Sequence, residues 1–294
     1  MTTKKLWMLV AVASALVGCS ADDKPTMPAD GKGNVELLCS TSSSIASVVT
    51  RAGEEFALPE SLVPTSDELI LTLTGTYTFK DKQQDDALTQ ATYEWEHNGT
   101  GTVADYAAEN PALEAGVYDV DLHHYSNAYE ASVRYGNPDE EGVGKVYFEG
   151  VSPEFYVYPE RTEQVNIGVE LANSCYTLSV SEWMMNYYTD VVLTIHTADN
   201  SFTFEPDAEN HTSELIFVKP GQMLSLSGSA TKVQNGVEVT FDKTTIGSEA
   251  LAAKTHYAIE VDHSTAGGGR LVISFDDTFT EVEAESAELN PDNN

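Results

Sequence analysis

Apolar and polar residues alternate along this chain much more often than apolar residues recur at helical spacing. Leu69-Ile70-Leu71-Thr72-Leu73-Thr74 and Tyr77-Thr78-Phe79 are rich in β-branched and aromatic side chains, the composition of strands. Gly116-Val117-Tyr118-Asp119-Val120-Asp121-Leu122 interleaves apolar with acidic residues, a period of two that predicts a half-buried strand. Asn34–Cys39, Val146–Glu149, Glu154–Tyr158 and Gln164–Leu171 extend the series. Past Asn173 come Cys175–Val180, Val191–Thr197, Ser201–Glu205, Glu214–Val218, Met223–Gly228, Gly236–Phe241, His256–Val261 and Gly269–Phe275. Helical patterns are short: Ala104–Glu109, Glu182–Tyr188 and Ser248–Ala253. Residues 40–67, rich in Ser, Thr and Glu with Pro59 and Pro64, read as loop.

Many short strands with regular turn signals predict an all-β protein of antiparallel β-sandwiches with few short helices. No repeat of solenoid period is present. The expected organisation is a leader over 1–18, a flexible acidic tether over 19–33, an N-terminal sandwich over 34–172, a C-terminal sandwich over 173–284 and a disordered acidic tail over 285–294.

The first residues carry an address. Lys4 and Lys5 precede an apolar run from Leu6 to Val17, broken only by Ser14, and Gly18-Cys19 closes it. The run is shorter than the roughly 20 residues a membrane-spanning helix needs and fits a secretory leader. The order resembles a bacterial lipoprotein signal. It implies acylation of Cys19, removal of residues 1–18 and attachment to a membrane through the lipid. Ser20-Ala21-Asp22-Asp23 is similar to the export signal of Bacteroidota surface lipoproteins. The expected location is therefore the outer membrane, facing outward, with the periplasmic face as the alternative.

Composition narrows the partners. With 47 acidic and 15 basic side chains, the formal charge is −32. Phosphate binding draws on Lys and Arg, so nucleic acid is excluded. Besides Cys19 there are only Cys39 and Cys175. An oxidising envelope permits a bridge between them, and two separate buried thiols are the alternative. No CxxC occurs.

Several segments look like a known family. Gly33-Asn34-Val35-Glu36-Leu37, Thr50-Arg51-Ala52, Asp67-Glu68-Leu69-Ile70-Leu71, Asn110-Pro111-Ala112-Leu113-Glu114-Ala115-Gly116-Val117-Tyr118-Asp119-Val120, Val146-Tyr147-Phe148-Glu149-Gly150 with Phe155-Tyr156-Val157, and Leu171-Ala172-Asn173-Ser174 resemble the Bacteroidota "domain of unknown function 4493" family over most of residues 33–280. The resemblance implies a surface lipoprotein of two immunoglobulin-like, fimbrillin-like β-sandwich domains in tandem. It brings no activity and no catalytic residues. His123–Gly144 is longer and more acidic than the family pattern. In fimbrillin-like pilins a protease cuts after an Arg downstream of the lipidated segment, and Thr50-Arg51-Ala52-Gly53 looks like such a site. Cleavage between Arg51 and Ala52 would free the strand at Val35–Cys39 for replacement by a partner's strand. An uncut loop is the plain alternative.

The search for chemistry is mostly negative. GxSxG, HExxH, P-loop and GxGxxG motifs are all missing, so no enzyme, cofactor or metal site is expected. His123-His124 would point to opposite faces of a strand. Asn137-Pro138-Asp139-Glu140-Glu141-Gly142 lacks the full ligand order of a calcium loop and reads as a turn. Trp95, in Tyr93-Glu94-Trp95-Glu96-His97, and Trp183, in Trp183-Met184-Met185-Asn186-Tyr187-Tyr188, are candidate glycan contacts. Core packing is the competing role for both. The expected function is adhesion or fimbria-like assembly by a non-enzymatic surface protein. The alternative is a glycan-binding surface lipoprotein assisting nutrient uptake.

Overall fold

The structure is a computed structural model that describes residues 31–48, 54–263, 270–275 and 278–286. In chain order the elements are β1 (Lys32–Thr41), β2 (Ser44–Val48), β3 (Glu54–Ala57), β4 (Ile70–Asp81), β5 (Ala87–Trp95), α1 (Val103–Glu109), β6 (Leu113–Glu114), β7 (Tyr118–Asp119), β8 (His124–Tyr125), β9 (Asn127–Tyr135), β10 (Phe148–Val151) and β11 (Thr162–Leu171). The second half continues with β12 (Ser174–Val180), α2 (Glu182–Tyr187), β13 (Tyr188–His196), β14 (Ser201–Phe204), β15 (Ile216–Val218), β16 (Leu224–Lys232), β17 (Glu238–Ile246), β18 (Thr255–His263), β19 (Arg270–Phe275) and β20 (Thr278–Ser286). The protein is all-β.

The first half is one seven-stranded path, β5-β4-β9-β10-β11-β1-β6. Leu71 and Ala131, from β4 and β9, share a buried cluster with Val35 and Ile167, from β1 and β11. Strands far apart on the path thus meet across one core, so the sheet folds over into two layers. Burial follows the pleat: Val165, Ile167, Val169 and Leu171 point inward while Gln164, Asn166 and Gly168 are exposed. Gly75 is required where β4 passes beneath Tyr129, because a Cβ there would collide with that ring.

The second half has its own buried cluster, from Tyr176 to Val282, within an eleven-stranded sheet. Two members of that sheet come from the first half of the chain. Residues 40–67, read as loop, contain the β2–β3 hairpin. β2 lies parallel to β18, aligning Thr255↔Ala46, His256↔Ser47 and Tyr257↔Val48. Phe56 of β3 stacks on His256 at 3.9 Å. The ladders β1–β11 and β12–β18 are also parallel, whereas most others are antiparallel.

Asn173 sits at the join and is fully buried. Its side-chain oxygen accepts from the Tyr147 N–H, and its carbonyl accepts from the Lys254 N–H at 2.8 Å. Lys254 pairs with Glu170. Cys175 and Phe217, from the second half, pack into the first-half core. The two halves therefore meet through packed side chains.

Other expectations need correction. Gly116–Leu122 forms only the two-residue β7, and Val120 and Leu122 are exposed; alternation there reflects a solvated turn. His123 takes a left-handed φ of 56°, and both it and His124 are exposed, so neither points inward. Glu154–Tyr158 makes a single bridge, Tyr129↔Phe155, and Ser248–Ala253 is not helical. Cys39 and Cys175 are unpaired. Burial pushes their thiols up to about 11 and about 12, where the reactive thiolate is scarce.

Candidate functional site

The two candidate tryptophans have opposite fates. Trp95 ends β5 and is buried. Its Nε1–H donates to Glu109 Oε2 at 2.9 Å. His97 stacks on the indole at 4.6 Å, and Tyr106 meets it edge-on at 5.2 Å. Glu109 holds His97 Nε2 through its other oxygen, at 3.1 Å. The backbone turns sharply here, with φ of 43°, 59° and 74° at His97, Asn98 and Gly99. Trp95 is 6% exposed with His97 stacked on it, which leaves no platform for a sugar ring.

Trp183 is 60% exposed. It lies on α2, which is six residues long and buries one side chain, Met184. Ser181 caps the helix by accepting from the Met184 N–H at 3.1 Å, satisfying an otherwise orphaned donor. The Ser181 hydroxyl donates in turn to Asp262. Trp183 and Tyr187 are four apart and so share one helix face. Tyr187 is also exposed, and the two rings lie 6.1 Å apart at 18°. Tyr187 stacks on His263 of β18 at 4.2 Å and 24°. Val233, exposed, borders the group and donates its N–H to the Tyr187 carbonyl at 2.9 Å. The result is a row of stacked rings in which Trp183 and Tyr187, on α2, are exposed and His263, on β18, is half-buried. Sequence reasoning named Trp183 and missed His263. The i,i+4 spacing of Trp183 and Tyr187 was a readable signal; the approach of β18 was not.

Other polar groups lack the arrangement of a reaction centre. His196 contacts Ser201 Oγ and Ser227 Oγ, each at 2.8 Å, but neither ring nitrogen holds the carboxylate that orients a Ser-His-acid site. Burial and Lys243 lower its pKa. In the Asn137–Gly142 turn, Asn137 Oδ1 accepts from the Asp139 N–H at 3.1 Å, and Glu140 pairs with Lys145. Of the side chains there, Asn137 and Glu140 are engaged in these contacts. Among the described residues there is no group of three His, Cys, Asp or Glu side chains placed to hold a metal, and no helix long and apolar enough to cross a membrane. Cys19, Arg51 and Ala52 lie outside the described residues, as do most of the tether and the tail from 287. Arg51 and Ala52 fall between β2 and β3 in the chain.

A strand-built frame with an exposed aromatic ladder defines the class as an all-β protein with a candidate contact surface. The model of the domain of unknown function DUF4493 matches residues 68–291, and the chain belongs to that family. The curated proteins offer no match. Solved structures similar to the chain include the fimbrial anchor protein Mfa2 from Porphyromonas gingivalis, at 10% identity and a TM-score of 0.34, covering 88% of this chain and 98% of that one. A fimbrial assembly protein from Parabacteroides distasonis is similar at 9% identity and a TM-score of 0.34, covering 86% and 98%.

Proposed function

We propose that this chain is a non-enzymatic cell-surface protein, attached to the outer membrane through lipid on Cys19, that serves adhesion or fimbria-like assembly through the Trp183–Tyr187–His263 ladder. The observation that carries the reading is the exposure of two large aromatic rings at adjacent turns of one helix. Aromatic side chains supply large contact area at low entropic cost, and interfaces are enriched in them. Cells displaying the wild-type chain should adhere to their target surface, and cells displaying Trp183→Ala at equal density should not. Equal adhesion by both would remove the ladder from the function. Mass spectrometry of the mature protein tests the anchor: an acylated N-terminal Cys19 supports it, and an N-terminus at Ala52 supports cleavage after Arg51 instead.

The same ladder favours a second reading, a glycan-binding surface lipoprotein assisting nutrient uptake. Sugar rings stack their C–H faces on exposed aromatic rings, and Trp183 presents such a face. Binding to a glycan array that is lost in both Trp183→Ala and Tyr187→Ala supports this reading. Retained adhesion to glycan-stripped cells argues against it.

A further inference from the structure

We infer that the parallel β1–β11 ladder is a shear clamp that carries tension between the N-terminal attachment and the exposed aromatic ladder. Its role in the cell rests on the surface-attached reading above; its mechanics follow from strand direction alone.

The chain path sets the geometry. β1 is the first described strand, so a pull from the N-terminal side enters at Lys32. β11 leads through Ala172 and Asn173 straight into β12, and β12 ends at the cap of α2, which carries Trp183. A pull on the aromatic ladder therefore reaches the carboxyl end of β11 through a single taut strand. β1 and β11 are parallel over eight aligned pairs, Asn34↔Thr162 to Thr41↔Val169. The two forces act at opposite ends of this ladder and point in opposite directions along it. All rungs then share the tension, whereas a hairpin pulled at its open end loses rungs one at a time.

The two ends of the clamp are closed by main-chain bonds. The Asn34 N–H donates to the Arg161 carbonyl at 2.8 Å, and the Ser42 N–H donates to the Val169 carbonyl at 2.9 Å. Gln164 Nε2–H donates to Glu36 across the ladder at 2.7 Å. At the entry, β1 also pairs with β6 through Lys32↔Glu114 and Gly33↔Leu113, and Lys32 and Glu114 form an ion pair at 2.8 Å. Val35 is buried beneath the ladder with Val165 and Ile167. The join beyond β11 is held by buried Asn173, whose oxygens accept from the Tyr147 and Lys254 N–H groups. The antiparallel sheet from β13 to β17 lies off this path.

Single-molecule pulling on the full-length chain tests the clamp. One handle is placed at the N-terminus. The other is attached at Trp183→Cys or at Thr162→Cys, in a Cys19→Ser, Cys39→Ser background with Cys175 shielded by burial. The first pair shears β1 from β11; the second pulls both strands from their amino ends and unzips them. A severalfold higher rupture force in the first geometry supports the clamp. So does a first length gain matching the chain from Lys32 to Ala172 at about 3.3–3.6 Å per residue. Equal forces in the two geometries, or a first gain much shorter than that segment, would overturn it. Leu38→Pro removes a main-chain donor in mid-ladder at an exposed position. It should lower the shear force far more than the unzipping force, and an equal fall in both would count against the clamp. The measurement needs neither the lipid nor a ligand, so failure of adhesion and failure of the clamp remain separate results.

Discussion

α1 and α2 are both short, both follow a strand and both carry a threonine or serine cap, yet they treat their aromatic residues in opposite ways. α1 buries Val103 and Tyr106 and closes over Trp95. Its cap is reciprocal: Thr102 Oγ1 accepts from the Asp105 N–H at 3.1 Å while the Asp105 carboxylate accepts from the Thr102 N–H at 2.9 Å. α2 buries Met184 alone and turns Trp183 and Tyr187 outward. The difference is one of phase. An apolar stripe on a short helix has room for about one inward residue per turn, and in α2 that place belongs to Met184. Residue type did not decide the role of either tryptophan; helix phase and the neighbouring strand did.

The contrast breaks most visibly on truncation. Trp95→Ala should cost about 3–5 kcal/mol of stability, as large-to-small changes in a core do. Trp183→Ala should stay within about 0.5 kcal/mol, as expected of a surface change. Urea unfolding of the two variants checks this, and a large loss at Trp183 would mean that α2 depends on its ring for packing.

The histidines repeat the comparison. His263 is half-buried beside Tyr187, whereas His256 is buried against Phe56, with Nε2 next to Thr177 Oγ1 at 3.1 Å and no partner for Nδ1. Burial pushes the His256 imidazole down to about 4 from 6.5. Its folded state resists protonation, so the unfolded chain binds more protons between those values. Stability from this group is full above about pH 6.5 and falls as pH drops toward 4, by up to about 1.4 kcal/mol per unit. Unfolding free energies of wild type and His256→Phe, compared from pH 7 to 4, should show this slope only in the wild type. Parallel curves would mean that His256 carries no such linkage.

Capping sharpens the comparison further. Thr102→Ala and Ser181→Ala should each cost about 1 kcal/mol, the usual worth of a cap. Only Ser181→Ala also frees Asp262 and loosens the helix that presents the ladder, so only it should reduce adhesion. The smallest effect is spectroscopic. In a chain beginning at Ser20, Trp95 and Trp183 are the only tryptophans. Acrylamide should quench one fluorescence component and spare the other, and Trp183→Phe should remove the quenched one.

Much of the frame was readable because alternation is a local property. Val165, Ile167, Val169 and Leu171 announce an inward face by themselves. β9 escaped because its inward positions are Asn127, Tyr129, Ala131 and Val133, and an amide and a methyl dilute the apolar signal. Asn127 is inward because its side chain satisfies backbone groups, donating to the Val157 carbonyl and accepting from the Val157 N–H, both at 2.9 Å. The segment Val117–Leu122 misled for the converse reason, since alternation also arises where both faces are wet. The ladder was half legible. Trp183 and Tyr187 lie on one helix, but His263 arrives from a strand some eighty residues on, which no local pattern encodes.

The β2–β3 hairpin has a kinetic consequence. Ala46 pairs with Thr255, so a sheet of the second half contains strands emitted near the start of the chain. That sheet cannot be completed until nearly the whole polypeptide is available, and closing so long a loop costs entropy before any contact rewards it. Pairings of such separation slow folding.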